Sequence, residues 1–566
     1  MGQGSSRAVA MLLTCLGTAC SGSAPSGPAA PAPAAPVRTQ ALPHAPPPEV
    51  RAVPLRFRDV APEVGLDYRW TLPDRPVYHL PDTTGYGAAF LDFDQDGVLD
   101  VLLSGPRPQL YRGTAGGRFV RHAGLASLPP GDYFGVAVGD YDRDGYPDVY
   151  LSALSGGRLL HNEGGRRFRD VTQAAGVAEP GRWSSAVTWA DLDRDGLLDL
   201  VVGHYVRYEV ERRVLCQRHG IEFECPQSFP PDVPAAYRNL GDGRFADMTA
   251  TWGLDRSGGR TLGIVTADLD GDGQVELVLA NDMAPGDLFV RQGEAFENQG
   301  VASGTAYSRG RLRSGMGVDV GDFDRDGRLD IVEMSFAWQG ASLLRNIQGL
   351  LYRDVAFPTG VGEGTRRYVG FGSLFVDLDN DGWLDLFITN GQVYKNAEQL
   401  FPGTTFAEPS VLLYNHRGRY VDLSDRLVGR AREPIVGRGL AAGDYDRDGR
   451  LDLLVVDQMG QVQLLRNETH PVGHWLSVRL RDRAGVDVQG AQVWITIGSE
   501  RRVAVAHNDG SYVSASEPRV HLGLGTARGV DELSVRWPSG RWERFGPLPA
   551  DRRVDLREGE GQGGEP

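Results

Sequence analysis

The chain has 566 residues and a formal net charge of −15, with 59 Lys and Arg against 74 Asp and Glu. That balance excludes the electrostatic footprint of a nucleic-acid binder, and no basic run reverses it. The length allows a large core or several, and outside residues 1–20 no apolar run is long enough to span a bilayer as a helix.

Residues 1–20, MGQGSSRAVAMLLTCLGTAC, read as an export signal. Arg7 gives a positive end, Ala8 to Ala19 a short apolar stretch, and Gly17, Thr18 and Ala19 precede Cys20 in the manner of a lipobox, whose cysteine is acylated after cleavage. The expectation is an exported lipoprotein at the outer membrane or cell surface, held to the membrane only by a lipid on Cys20. Plain secretion is the alternative. Residues 21–54 form a Pro/Ala-rich linker without a core-forming pattern.

From residue 92 one nonapeptide, D-x-D-x-D-G-x-x-[DE], recurs seven times. Its acids are Asp92, Asp94, Asp96 and Asp100; Asp140, Asp142, Asp144 and Asp148; Asp191, Asp193, Asp195 and Asp199; Asp268, Asp270, Asp272 and Glu276. They continue as Asp322, Asp324, Asp326 and Asp330; Asp377, Asp379, Asp381 and Asp385; Asp444, Asp446, Asp448 and Asp452. Crowded carboxylates repel and raise one another's pKa, so such a turn needs a cation. Ca²⁺ takes about six to eight hard oxygen ligands, which alternate aspartates, a carbonyl at position seven and a bidentate acid at position nine supply. The glycine at position six permits the sharp turn. Up to seven Ca²⁺ are expected. EF-hands are excluded, because position twelve is apolar in six copies and the flanks read as strands.

Each loop is followed by a strand with a polar hairpin (RLLHNEGG, AAYRNLGDG, SLLRNIQG) and a further short strand (RFRDV, RFADM, LYRDV). The last short strand is missing after the seventh loop, but RFRDV at Arg56 to Val60 stands before the first. The count closes as an all-β, seven-bladed propeller over residues 55–467, with the amino-terminal strand completing the last blade. Cys216 and Cys225 lie in the longest interval between loops and are expected to pair as a disulfide that staples an insertion across one face. Residues 468–557 read as a small carboxy-terminal β domain, and residues 558–566 as a disordered tail. Trp537 and Trp542 are candidates for a carbohydrate platform, with core packing the favoured reading.

The repeated hairpins resemble integrin-type FG-GAP, or VCBS, repeats, in which such loops bind calcium at one face of a propeller. HWLSVRL, GAQVWI, RVHLGLG and VDELSVRWPSG resemble the ASPIC/UnbV domain. Together they make the chain similar to a bacterial member of the cartilage acidic protein-like family, and NGQVY at Asn390 and the Cys216/Cys225 insertion belong to the same likeness. Gln492 stands where an arginine is usual. The resemblance implies a calcium-binding surface or secreted adhesion protein with an extracellular protein or carbohydrate ligand. No hydrolase, zinc-protease or P-loop motif occurs, and no catalytic residue is assigned. A calcium-dependent polysaccharide lyase or glycosidase, or an envelope-complex scaffold, is the alternative.

Overall fold

Apolar runs flank every acidic nonapeptide, and in the computed structural model all seven fold as antiparallel hairpins with the nonapeptide as the turn. The structure describes residue 53 and residues 55–212 and 214–564; the signal, Cys20 and most of the linker lie outside the described residues. Each hairpin grows into a sheet of four or five strands, the seven sheets spanning 88–122, 133–170, 184–247, 261–298, 318–354, 370–422 and 437–467. Their first strands touch in sequence order, and the strand at Gly437–Gly443 returns to that at Ala88–Leu91. Seven blades therefore surround one axis. The innermost strands are covered on both faces by neighbouring blades, so Tyr133–Gly139, Ser184–Ala190 and Thr261–Ala267 are buried at every position instead of alternating.

The ring is closed by Phe57–Asp59, which pairs antiparallel with the third strand of blade 7 in the register Phe57 to Asn467, Arg58 to Arg466 and Asp59 to Leu465. The seam is polar as well as hydrogen-bonded. Arg58 donates to Glu468 at 2.9 Å, and Asp59 takes Arg430 at 2.8 Å. Phe57 is fully buried in the core between blades 6 and 7. Deleting residues 55–61 removes this strand and is expected to lower the melting temperature of the whole ring. Unchanged melting of the truncated protein would show that the seam bears no load.

The carboxy-terminal domain has one sheet of Val520–Gly525, His474–Arg481 and Arg552–Arg557. A second is ordered Glu500–Ala506, Ala491–Ile497, Glu532–Arg536, Trp542–Arg544 and Gln562–Gly563. That last strand corrects the expected disordered tail, since Gln562 and Gly563 pair with Arg544 and Glu543. Trp537 is 1% exposed and belongs to this domain's core, with its indole N–H directed to Glu543, so it is no platform for a sugar.

The domain does not sit apart from the propeller. The segment 507–517 leaves it and runs down the propeller axis, touching every blade. Ala515 exchanges backbone hydrogen bonds with Ala88 and Phe90 of blade 1, and Val513 accepts from Val136 of blade 2. Asp509 accepts from the hydroxyls of Thr188 in blade 3 and Thr266 in blade 4. Ser511 accepts from Val318 of blade 5, and the Tyr512 ring lies 4.9 Å from Phe371 of blade 6. Glu517 takes the N–H of Asp444 in blade 7. The fit requires glycine at the axis: a side chain at Gly87 would run into the carbonyl of Val513.

The blade 3 insertion emerges after the second strand, at the face opposite the acidic loops. It is a two-stranded hairpin, Leu215–Arg218 with Ile221–Glu224, closed by the Cys216–Cys225 disulfide with Cα atoms 6.0 Å apart.

Candidate metal centres

All 28 acidic candidates stand in seven turns of one geometry on one face of the ring, seven loops of four. Position six is left-handed in every loop, from Gly327 at φ 81° to Gly145 at φ 92°. So is position four, which carries side chains in six loops: Gln95, Arg143, Arg194, Arg325, Asn380 and Arg447 lie between φ 56° and 64°. The strain is offset by hydrogen bonds that recur in each copy. The position-one carboxylate accepts the N–H of the position-six glycine, as Asp92 does from Gly97 at 3.1 Å and Asp377 from Gly382 at 2.7 Å. The position-five carboxylate accepts the N–H of position seven, as Asp96 does from Val98 at 2.9 Å.

These bonds leave a set of inward oxygens without partners. Oδ1 of Asp92, Asp94, Asp324, Asp377 and Asp446 is buried and accepts no hydrogen bond. Carboxylate oxygens of Asp92, Asp94 and Asp96 lie within 4.8 Å of one another, as do those of Asp191, Asp193 and Asp199, and of Asp268, Asp270 and Glu276. A buried carboxylate oxygen without a donor is costly, and a hard cation satisfies several at once. The donor set fits calcium.

Position nine also braces backbone, as loops 1 and 6 show. Its two oxygens hold the scaffold: Asp100 accepts from Phe93 and Gly113, both at 2.7 Å, and Asp385 accepts from Leu378 and Asn415. In loop 7 the Asp452 Oδ2 is buried without a donor, and Asp199 and Glu276 lie within 4.8 Å of their loops' other acids, so position nine also stands within reach of an ion.

Burial, and then the neighbouring carboxylates, push acids at position one up. Asp140 and Asp191 rise to about 6 and Asp322 to about 7. At position nine burial raises Asp100 to about 7, Asp199 to about 8 and Asp330 to about 9.

Two contacts that sequence reasoning missed link the loops. The polar dipeptide ending each third strand is the first. In loops 1, 3, 5 and 7 an arginine grips the outer oxygens of positions three and five: Arg112 reaches Asp94 at 2.5 Å and Asp96 at 3.0 Å, and Arg238 reaches Asp193 at 2.6 Å. It orients the carboxylates from outside while Oδ1 faces in. His161 takes this place in loop 2 and Tyr414 in loop 6. The following asparagine crosses to the preceding blade: Asn162 donates to the carbonyl of Phe93, Asn239 to Tyr141, Asn415 to Phe323 and Asn467 to Leu378. The second contact runs the other way. Position four reaches the next loop's glycine, Arg143 to Gly196, Arg194 to Gly273, Arg325 to Gly382 and Asn380 to Gly449. The recurring Arg-Asn dipeptide was the available signal for the first of these. Nothing marked the second.

The carboxy-terminal domain covers this face. Arg536 pairs with Asp268 at 3.0 Å, Gln492 donates to the Asp268 carbonyl at 2.8 Å, and Arg143 pairs with Asp482. His521 binds Asn380 at 2.7 Å, and Trp475 packs on Gly449. Gln492 thus does structural work at the position where the resemblance expects arginine. On the opposite side His204 and Tyr205 are buried, and His204 is held between Glu179 and the Val233 carbonyl.

The FG-GAP-like repeat family matches residues 92–151, 145–202, 230–279, 268–333 and 377–455, and the ASPIC and UnbV family matches residues 482–563. Cartilage acidic protein 1 of Mus musculus is 27% identical over 388 residues, which cover 66% of this chain and 54% of that protein. The Homo sapiens protein of the same name is 27% identical over 322 residues, 55% of this chain and 45% of that protein. The chain spans about half the length of the curated relatives it matches. Among solved structures, a lectin of Agrocybe aegerita aligns over 71% of this chain and 94% of its own, with 15% identity and a TM-score of 0.37. By its repeated loops and its last domain, the chain belongs to the FG-GAP-like repeat family and carries an ASPIC and UnbV domain at its carboxyl end.

Proposed function

We propose that the protein is an exported calcium-binding propeller that presents a binding face to an extracellular protein or carbohydrate. The observation that carries the calcium reading is the loop repeated seven times with clustered carboxylates, in which loops 1, 5, 6 and 7 hold buried carboxylate oxygens that lack hydrogen-bond donors. Positions one, three, five and nine would hold the ion, with position nine also fixing the frame. A bound ion supplies charge neutralisation, and the chain's own residues do the rest: third-strand arginines orient the acids, and the domain on top covers part of the loop face. The metal face is covered by the chain's own domain, so ligand binding falls to the opposite face, where the disulfide hairpin stands. The repeats and the likeness to cartilage acidic protein 1 support an extracellular setting. Among the described residues no helix is long and apolar enough to cross a membrane.

Metal analysis of the purified protein, dialysed against low-millimolar calcium, tests the first part. The expected content approaches seven Ca²⁺ per chain, with poor replacement by Mg²⁺, whose octahedral shell is stricter. Less than one calcium per chain would overturn the reading. A glycan array and an extracellular-protein array with the loaded protein test the second part, and selective capture is the expected result.

A further inference from the structure

The face opposite the acidic loops holds a cavity of about 470 Å³ that neither the metal chemistry nor the family likeness assigns. Its size is that of a small-molecule site. Two sequence motifs that calcium binding leaves unused meet there: the disulfide hairpin supplies Phe223, and NGQVY supplies Tyr394. The two rings are 4.9 Å apart, edge to face, and Phe401 stacks 6.0 Å from Tyr394. Phe371 and Tyr205 line it further in, and Trp338, half exposed at 50%, stands at its rim.

One acidic group lies in this aromatic wall, with Arg218 as the basic residue at the mouth. Asp282, at 8% exposure, lines the cavity, and its partners are neutral: the Tyr205 hydroxyl donates to it at 2.6 Å, and Ser314 also hydrogen-bonds it. Among the described residues no arginine, lysine or histidine forms an ion pair with it. Arg260 acts on it through space but forms no ion pair with it, so this buried carboxylate lacks a paired counter-charge. Aromatic faces attract cations through their quadrupoles, and this wall already does so, since the guanidinium of Arg218 lies 4.7 Å over Phe401 at the mouth. We infer that the cavity binds a small organic cation, an ammonium group with an apolar body, whose charge meets Asp282 and whose body lies among Phe223, Phe371, Tyr394 and Trp338. The inference needs neither the calcium sites nor the macromolecular ligand proposed above.

The test uses the full-length, calcium-loaded protein and probes matched in shape but not in charge: phenethylamine and benzyltrimethylammonium against 2-phenylethanol and phenylacetate. Binding is read by quenching of tryptophan fluorescence and by saturation-transfer NMR. The ammonium probes are expected to bind about tenfold or more tighter than the alcohol, and phenylacetate not at all. Asp282→Asn keeps an acceptor for Tyr205 and is expected to reduce the ammonium probes to the level of the alcohol, with melting temperature and calcium content unchanged. Should that variant fold poorly, Trp338→Ala at the rim is expected to weaken the ammonium probes more than the alcohol and to abolish most of the quenching. Equal binding of charged and neutral probes, no binding of either ammonium probe, or a charge preference that survives Asp282→Asn would overturn the inference.

Discussion

Chelation with EGTA is expected to lower the melting temperature by tens of degrees, and added calcium to restore it far better than magnesium. Binding to the native state stabilises it by about 1.4 kcal/mol per site at tenfold excess over Kd, so seven sites amount to about 10 kcal/mol, the stability of a whole domain. The loops are tied to each other through Asn162, Asn239 and the position-four arginines, so the sites are not expected to act independently. Two substitutions in loop 1 separate metal from scaffold. Asp94→Ala removes an inward oxygen without a donor, and should cost stability in calcium but little in EGTA. Asp100→Ala orphans the N–H groups of Phe93 and Gly113, and should cost about 1–3 kcal/mol in either condition. An unchanged melt in EGTA, with metal analysis showing that the calcium had left, would refute the stabilising role.

The pH dependence of the chelated protein has a defined sign. Burial raises the folded-state pKa of loop acids at positions one and nine, to about 6 at Asp140, about 7 at Asp322 and about 9 at Asp330, against about 4 for an unfolded aspartate. Between those values the folded state binds more protons than the unfolded chain. This contribution is complete below pH about 4 and is lost as pH rises through about 6 to 9. In EGTA the protein should therefore melt higher at pH 5.5 than at pH 8. In calcium the ionised form is held, and the order should reverse or vanish. Melting curves at the two pH values, with and without chelator, check this; a chelated protein that is more stable at pH 8 contradicts it.

The repeats were legible because metal ligation restricts residue type at fixed short spacing, and all 28 repeat acids stand in the nonapeptide hairpins their spacing implied. Ring closure was legible because RFRDV is a displaced copy of a repeated strand. Other features have no local signature. Arg143 in a left-handed turn looks like a surface arginine until the next loop's Gly196 carbonyl is in place. Gln562 and Gly563 look like tail because their pairing to Arg544 and Glu543 rests on backbone and not on apolar side chains. The axial segment HNDGSYVSASE is polar and small, the composition of a surface loop. Only the surrounding inner strands, hundreds of residues away in sequence, turn it into core.

That segment makes the second large prediction. The carboxy-terminal domain and the propeller should unfold in one transition, because residues 507–517 supply the packing and hydrogen bonds along the axis that the inner strands would otherwise lack. Tyr512 is 1% exposed, donates to the Thr84 carbonyl at 2.8 Å and packs edge to face against Phe371, so Tyr512→Ala opens a cavity at the centre of the ring. Truncation of a buried aromatic costs about 3–5 kcal/mol. Asp509→Ala should cost about 1–3 kcal/mol, since it strips acceptors from Thr188 and Thr266 at once. It also removes a carboxylate from His507. Burial disfavours charge on that imidazole, but its bond to Asp509 and the nearby Asp319 outweigh the burial and raise it to about 9. A charged His507 stabilises the fold below pH about 6.5, and this is lost as pH rises through about 9, so part of the alkaline sensitivity should disappear in Asp509→Ala. Calorimetry with parallel tryptophan fluorescence measures the coupling. Trp475 and Trp537 report the carboxy-terminal domain, and Trp183 and Trp189 report the propeller. Both sets should shift together in each variant. If Tyr512→Ala splits the melt into two transitions and leaves the propeller's midpoint where it was, the axial segment is a passive lodger and not a part of the core.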